Sequence, residues 1–265
     1  MPIADPAKVP SLWDGDADCV TTARTGGRPA GGPDARVWVQ PDAPWGEDFA
    51  REVTTGSRAA RAFLASRGVD ADAGIEIYVC DRQTIGHAPG GPFVFLSRTM
   101  VAEHRAPWLH ESLHVLLRAD RDWLVDFDEA TADRDMPLWL VEGLTDYTAE
   151  SIAESAHVDN PGPFVERLDN LDSGCSRARA AGPPAIFEKV GRPGRADELF
   201  GQQRFENAQV FYPCSDAFVG WLVRGHGLDA LLRASLATPD EQATWEQLTG
   251  AKLEDERASW VRQLP

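Results

Sequence analysis

The chain has 265 residues, of which 43% are hydrophobic and 26% charged, a composition typical of a globular protein with a substantial core. The formal net charge of −16 argues against a nucleic-acid partner, because phosphate backbones require clustered lysine and arginine side chains. No apolar run approaches the roughly 20 residues that a membrane-spanning helix needs, so no membrane partner is predicted.

The N-terminal sequence and the four cysteines both bear on the compartment. MPIADPAKVPSLWDG lacks the apolar core of a secretory signal, which predicts a cytoplasmic protein, or a secreted one if a signal was removed before Met1. The cysteines show no CxxC spacing and therefore predict no cysteine zinc site. Their even number permits two disulfides in an oxidising compartment, with Cys175–Cys214 the first pair to test and Cys19–Cys80 the other. Buried free thiols are the alternative.

The first elements are predicted from changes in periodicity. Residues 1–33 are rich in Pro, Gly and Asp and lack periodicity, which predicts an irregular N-terminal extension. ARVWVQP at 35–41 alternates apolar and polar residues, as a strand does. Apolar residues at helical spacing from 47 to 67 predict a helix that stops at Gly68. IEIYVCD at 75–81 predicts a second strand.

A third strand, FVFLS at 93–97, is predicted after a loop, HAPGGP, at 87–92. The Gly-Gly-Pro entry indicates that this strand lies at an edge, because proline is poorly tolerated in a central strand. An exposed strand edge would allow an extended peptide to bind as an added strand. The order strand, helix, strand, strand predicts a small mixed sheet in an N-terminal α/β lobe at 34–118.

The helix that follows carries the sequence HESLH at 110–114. Positions i and i+4 share a helix face, so His110 and His114 can present two imidazole nitrogens to one metal ion. Glu111 lies one residue round, where its carboxylate can reach a water on that metal without being a ligand. This is the HExxH arrangement of zinc hydrolases. Core histidines satisfied by ordinary hydrogen bonds are the alternative.

An acidic stretch, ADRDWLVDFDEATADRD at 119–135, separates this helix from the next. It does not match an EF-hand loop, which would require a Gly after the third acidic position. A solvated connection is predicted, with a cation site or a selection for basic substrates as the alternative.

A helix that opens at Pro137, with the sequence PLWLVEGLTDYTAE, supplies a candidate third ligand. Glu142 lies among apolar residues such as Trp139, so a plain surface position is not expected. A catalytic zinc requires three protein ligands plus water, and two histidines with one glutamate are a standard set. Asp146 lies one turn beyond Glu142 on the same face, where it can accept the free N–H of a zinc-bound imidazole, with His110 as the first candidate.

HESLH followed by WLVEGLTDY resembles the gluzincin zinc metallopeptidases, in the peptidase MA-like branch of the thermolysin and aminopeptidase-like superfamily. The resemblance implies a zincin-like α+β fold with two lobes in one catalytic unit, the second lobe being mainly helical and spanning 119–265. It also implies a Zn²⁺ cofactor and a peptide or protein substrate. The chain has Val141 where aminopeptidases of this group usually have Asn, and GGPFVFLS where they have a GxMEN-type motif. The resemblance therefore does not extend to aminopeptidase specificity.

The C-terminal segment ENAQVFYPCSDAFVGWLVRGHGLDALLRA is similar to one that follows the third ligand in peptidase MA-like proteins. The matching tyrosine is Tyr212, and in the superfamily a Tyr or His at this stage donates a hydrogen bond to the developing oxyanion. His226 is the runner-up donor, and a core tyrosine with a satisfied hydroxyl is the alternative. Gly227 is predicted to lie between two helices, and two short helices are predicted at 241–250 and 253–264.

The predicted reaction is zinc-assisted hydrolysis of a peptide bond. His110, His114 and Glu142 are expected to hold the zinc, while Glu111 takes a proton from the bound water and passes it to the leaving amine. One alternative is a non-peptidase zinc hydrolase or tailoring enzyme that acts on a small amide or ester. The other is a catalytically silent zincin-like binding module. The sequence leaves open the substrate, endo- or exopeptidase cleavage and the oligomeric state.

Overall fold

The computed structural model of the protein describes residues 16–26, 29–39, 42–81, 86–117, 138–164, 166–192, 204–236 and 250–265. The chain divides into two compact units. The first comprises the described residues of Met1–Asp126 and Ile152–Pro163, and the second those of Phe127–Ser151 and Phe164–Pro265. The predicted lobe boundary at residue 118 and the acidic stretch 119–135 lie outside the described residues.

The centre of the first unit is a sheet to which the described residues contribute five strands. In chain order these are β1 (Ala30–Gly31), β2 (Ala35–Trp38), β3 (Ile75–Cys80), β4 (Gly86–Gly90) and β5 (Phe93–Ser97). Their order across the sheet is β1-β2-β3-β5-β4, with β2, β3 and β5 parallel and the two end strands antiparallel to their neighbours. The mixed sheet and its three predicted strands are confirmed.

Helices pack on the sheet of the first unit, which confirms the predicted α+β class. They are α1 (Asp16–Gly26), α2 (Gly46–Ala65), α3 (Arg98–Ala102) and α4 (Trp108–Leu117). Helix α1 packs on the face that carries Tyr78, Phe93 and Phe95, whereas α4 contacts the face towards which Gly86 and Leu96 point. Helix α2 is the one predicted at 47–67, and it packs against both α4 and β2.

Helix α1 lies within 1–33, where the sequence predicts an irregular extension, so that prediction is wrong for Asp16–Gly26. The helix is fixed by tertiary contacts rather than by its own periodicity. A disulfide joins Cys19 to Cys80 of β3, with 5.9 Å between the two Cα atoms. Arg24 adds a second attachment, because its guanidinium donates hydrogen bonds to Tyr78 at 2.7 Å and Glu76 at 2.8 Å.

The edge of the sheet differs from the prediction. In the described part of the chain, residues 86–90, most of which fall in the predicted loop, form strand β4 at the end of the sheet, and β5 lies between β3 and β4. The prediction that 93–97 forms an edge strand is therefore wrong. The sequence does not indicate β4, because glycine and proline are typical of loops. Proline has no N–H to donate, and the pairing with β5 is irregular between His87 and Gly90.

The described part of the second unit is helical. Its helices are α5 (Leu138–Ala156, of which the residues through Ser151 belong to this unit), α6 (Leu171–Ala181), α7 (Pro184–Phe187), α8 (Arg204–His226), α9 (Leu228–Leu236) and α10 (Leu253–Gln263). Gly227 has φ +84 and separates α8 from α9 as predicted, and α10 confirms the helix predicted at 253–264. The helix predicted at 241–250 lies almost entirely outside the described residues. Among the described helices, none has the length and apolarity to cross a membrane.

Helix α8 packs against both α6 and α5 in the second unit. A disulfide joins Cys175 of α6 to Cys214 of α8, with 4.5 Å between the Cα atoms. On α5, a Cβ atom added to Gly143 would lie 2.5 Å from the carbonyl oxygen of Ser215. The backbones of α5 and α8 therefore meet at a glycine. With this second disulfide all four cysteines are paired, and the alternative of free thiols is wrong.

Candidate metal centre

The residues of the HESLH motif come together on helix α4, as the helical spacing predicts. Nε2 of His110 and Nε2 of His114 lie 2.9 Å apart, with the two rings almost perpendicular. A carboxylate oxygen of Glu111 belongs to the same group, in which all three potential ligand atoms lie within 4.8 Å of one another. The three residues are only 6–7% exposed, so the group is buried.

The donor chemistry of this group fits a metal ion. Two imidazole nitrogens at 2.9 Å either share one proton or direct both lone pairs towards a common cation. Neutral imidazole nitrogens with a nearby carboxylate suit first-row divalent metals, and zinc is commonly bound by such ligands. Residues His110, Glu111 and His114 can therefore hold a metal ion.

Helix α4 is held at its first residue, Trp108, which is fully buried. The indole N–H of Trp108 donates a hydrogen bond to Oε1 of Glu52 on α2 at 2.8 Å. A Cβ atom added to Gly56, one turn further along α2, would lie 2.1 Å from Cη2 of the indole. The indole thus occupies space that only a glycine leaves open, and this fixes the start of the helix that carries the candidate ligands.

The Glu52 carboxylate makes stability depend on pH. Burial raises the pKa of Glu52 above its ordinary value, and the hydrogen bond from Trp108 offsets part of that rise. Because the native state holds this proton more tightly than the unfolded state, Glu52 costs stability as the pH rises from the ordinary pKa through the raised one. We expect Glu52→Gln, which keeps a hydrogen-bond acceptor for Trp108, to raise the Tm at pH 7 by about 1–2 °C after allowance for solvent screening.

The control for Glu52→Gln is the same comparison at a pH below the ordinary pKa of a glutamate. There the carboxyl group is protonated in both the folded and the unfolded state, so wild type and variant are expected to melt at nearly the same temperature. Thermal melts followed by circular dichroism at both pH values measure this. A variant with a lower Tm than wild type at pH 7, or with the same Tm difference from wild type at both pH values, would contradict the prediction.

The Glu111 carboxylate lies against the edge strand β4. A Cβ atom added to Gly86 would lie 3.3 Å from Oε1 of Glu111 and 3.1 Å from Cδ2 of Leu96. Because Gly86 has no side chain, the carboxylate approaches the backbone of β4 directly. The candidate base is thus positioned by a strand as well as by its own helix, which the motif alone does not indicate.

The predicted third ligand lies on α5. Glu142 is 9% exposed, which confirms that it is not a plain surface residue. Asp146 follows it one helical turn later and is half-buried. Gly143, beside Glu142, is the point at which α5 meets α8. These residues belong to the second unit and the histidines to the first, and the ligand role of Glu142 and the supporting role of Asp146 stay predictions.

Tyr212 lies on α8, which continues through Pro213. Its ring stacks on Phe164, with the ring centroids 5.2 Å apart and the planes nearly parallel. The side chain is half-buried, and its role as an oxyanion donor stays a prediction. His226, the runner-up donor, is the last residue of α8, and its Nε2 lies 2.8 Å from Oε1 of Glu256 on α10. This hydrogen bond gives His226 a structural role at the helix end.

The sequence does not predict the pair formed by His87 and Asp16, because it places His87 in a loop and assigns it no function. His87 lies on β4, and its Nε2 is 2.9 Å from Oδ2 of Asp16, the first residue of α1. Asp16 is fully buried and the His87 side chain is 8% exposed. Nothing in the sequence indicates a pair separated by 71 positions.

No family model, curated protein or solved structure matches the chain. The candidate metal centre is therefore supported by the geometry of His110, Glu111 and His114 and by the motif in which they occur. The relation to gluzincin peptidases stays a prediction from HESLH and WLVEGLTDY.

Proposed function

We propose that the protein is a zinc-dependent peptidase with a zincin-like fold, whose two lobes form one catalytic unit. One observation carries the proposal: Nε2 of His110 and Nε2 of His114 converge to 2.9 Å on a buried helix. The carboxylate of Glu111 lies in the same group. Two converging imidazoles and an adjacent glutamate are what a metal-dependent hydrolase requires for two of its ligands and its base.

Each residue of the site has one task in the proposed reaction. His110, His114 and Glu142 bind the metal through two imidazole nitrogens and a carboxylate. Zinc, when bound, supplies a Lewis acid that acidifies a water molecule and polarises the scissile carbonyl. Glu111 accepts the proton of the attacking water and then donates it to the nitrogen of the leaving amine. Tyr212 donates its hydroxyl proton in a hydrogen bond to the developing oxyanion, a contact worth roughly 3–4 kcal/mol in comparable sites.

The position of β4 supports a peptide as the substrate. This strand ends the sheet formed by the described residues, and its Gly86 lies against the Glu111 carboxylate. Extended peptides bind strand edges through main-chain hydrogen bonds, whatever their side chains. A hydrolase of small amides or esters has no comparable use for a strand beside its base. A peptide or protein is therefore the proposed substrate, and Asp146 would accept the free N–H of His110 and fix that ring.

Elemental analysis of the purified protein tests the metal. We expect about one zinc per chain under metal-replete conditions. His114→Ala removes one of the two converging imidazoles and is expected to lose most of this zinc. His104→Ala changes an exposed histidine of the same unit and is expected to keep it, which makes it the matched control. Wild-type protein without stoichiometric zinc or another first-row metal would contradict the proposal.

Digestion of a peptide library tests the reaction. The zinc-loaded protein is expected to cleave peptides, and a chelator is expected to stop the cleavage. Zinc-loaded protein that hydrolyses small amides or esters but no peptide would instead identify a non-peptidase hydrolase. Zinc-loaded protein that hydrolyses neither class would identify a catalytically silent binding module.

A further inference from the structure

In the described part of the chain, strand β4 joins the sheet on one side only, through β5. On its inner side, Gly86 pairs with Leu96 and His87 with Phe95, after which the register is irregular until Gly90. Strand β4 also ends the sheet in the described part of the chain, so its other side has no strand there. Backbone pairing alone therefore restrains the position of β4, the strand that lies against Glu111, only in part.

The His87 side chain provides a second attachment for this strand, on the sheet face opposite to the one that Glu111 contacts. Its ring stacks on Phe95 with 5.2 Å between ring centroids. Its Nε2 lies 2.9 Å from Oδ2 of the fully buried Asp16. Against an ionised Asp16 carboxylate, which can only accept, Nε2 of His87 would carry the proton and donate. Asp16 lies in the first turn of α1, where the helix dipole favours a negative charge.

The partner helix is itself fixed to the sheet. The Cys19–Cys80 disulfide joins α1 to β3. Asp16 is one helical turn from Cys19, so the disulfide also restrains the end of α1 that carries the Asp16 carboxylate. The chain of contacts then runs from α1 through Asp16 to His87, and from His87 along the backbone to Gly86.

We propose that Asp16 and His87 are positioning residues for Glu111: they fix β4, and Gly86 in turn sets the place of the Glu111 carboxylate. Successive side chains of a strand point to opposite faces, so the buried pair and the base lie on opposite sides of β4. A shift of His87 would therefore move Gly86, the surface against which Oε1 of Glu111 rests. The kinetic part of this inference rests on the proposed peptidase function.

His87→Phe tests the proposal, because it keeps a ring to stack on Phe95 and removes the hydrogen bond to Asp16. Tyr78→Phe is the matched control. It also removes a hydrogen bond between α1 and the sheet, a partly buried one from Arg24, but on β3 rather than β4. We expect His87→Phe to lower kcat by about 10-fold, with KM and bound zinc unchanged, because small displacements of a catalytic group are costly. Tyr78→Phe is expected to keep kcat within about two-fold of wild type.

Conservative and disruptive changes at Asp16 provide a second test that does not depend on the His87 variant folding. Asp16→Asn keeps an acceptor for His87 and is expected to retain a kcat close to that of wild type. Asp16→Ala removes the acceptor and is expected to lower kcat as His87→Phe does. Equal losses in His87→Phe and Tyr78→Phe, or no loss in His87→Phe and Asp16→Ala, would overturn the proposal.

Hydrogen exchange provides a readout that needs no activity. The backbone amides of residues 86–88 are expected to exchange faster in His87→Phe than in wild type, and not in Tyr78→Phe. If the zinc-loaded wild-type protein cleaves nothing, the proposed peptidase function fails while this measurement still decides whether the pair fixes the strand. Unchanged exchange at 86–88 in His87→Phe would overturn the inference even if the protein is an active peptidase.

Discussion

Replacing Glu111 with Gln is expected to leave zinc bound and to lower kcat by about 10³-fold, because general-base catalysis contributes between about 10² and 10⁴. The glutamine has nearly the same shape as the glutamate and still fits between α4 and Gly86. It cannot accept a proton from water at neutral pH. His110 and His114 are untouched, so their converging nitrogens are expected to bind the metal as before.

The control for this experiment is Glu103→Gln, which changes an exposed carboxylate of the same unit that pairs only with Arg105 at the surface among the described contacts. It is expected to keep wild-type kcat and zinc. Peptide turnover measured at saturating substrate, together with zinc per chain, separates loss of the base from loss of the metal. A Glu111→Gln variant with undiminished turnover would exclude the proposed mechanism.

Gly143→Ala is expected to destabilise the protein by about 3 kcal/mol, near the upper end of the cost of overpacking. The added methyl would lie 2.5 Å from the carbonyl oxygen of Ser215 and 2.9 Å from Cγ2 of Val219. Helix α8 cannot easily retreat, because Cys214, beside Ser215, is tied to α6 by a disulfide. The expected fall in Tm is about 10 °C, and it is measured by calorimetry or circular dichroism.

Gly225→Ala is the matched control for this substitution. Gly225 also lies in a helix of the second unit, but a Cβ atom there would meet nothing within 4 Å. Alanine is the better helix former, so this variant is expected to be about 0.5–1 kcal/mol more stable than wild type. Equal Tm values for the two variants would show that the contact between α5 and α8 does not constrain Gly143. Zinc content of Gly143→Ala would further show whether the position of Glu142, the preceding residue, depends on this contact.

The elements that were predictable from the sequence are those with strong local patterns. Strands β3 and β5 are rich in β-branched and aromatic residues, and α2 has clear helical periodicity. The grouping of His110, Glu111 and His114 follows from helix geometry alone, since all three lie within five consecutive residues. For such features, local sequence and tertiary structure agree, and the prediction needs no knowledge of the rest of the chain.

The features that were missed depend on contacts between distant residues. Helix α1 contributes few buried residues, and it is fixed by Cys19 and Arg24 to strand β3, which lies more than 50 positions away. Strand β4 has two glycines and a proline in five residues, a composition typical of loops, and it becomes a strand only beside β5. The hydrogen bond between His87 and Asp16 requires both of these elements. No local pattern could have predicted it.

The stability of the protein depends on whether its two disulfides are intact. They join residues 61 and 39 positions apart, and each lies within one unit, so an unreduced denatured chain retains two closed loops. In the chain-entropy treatment, each closed loop of this length lowers the entropy of the denatured state and so raises its free energy by about 4 kcal/mol. A thiol reductant in the buffer would open both loops and would also compete for zinc. Metal content and Tm are therefore comparable between variants only when the redox state of all four cysteines has been measured on the same sample.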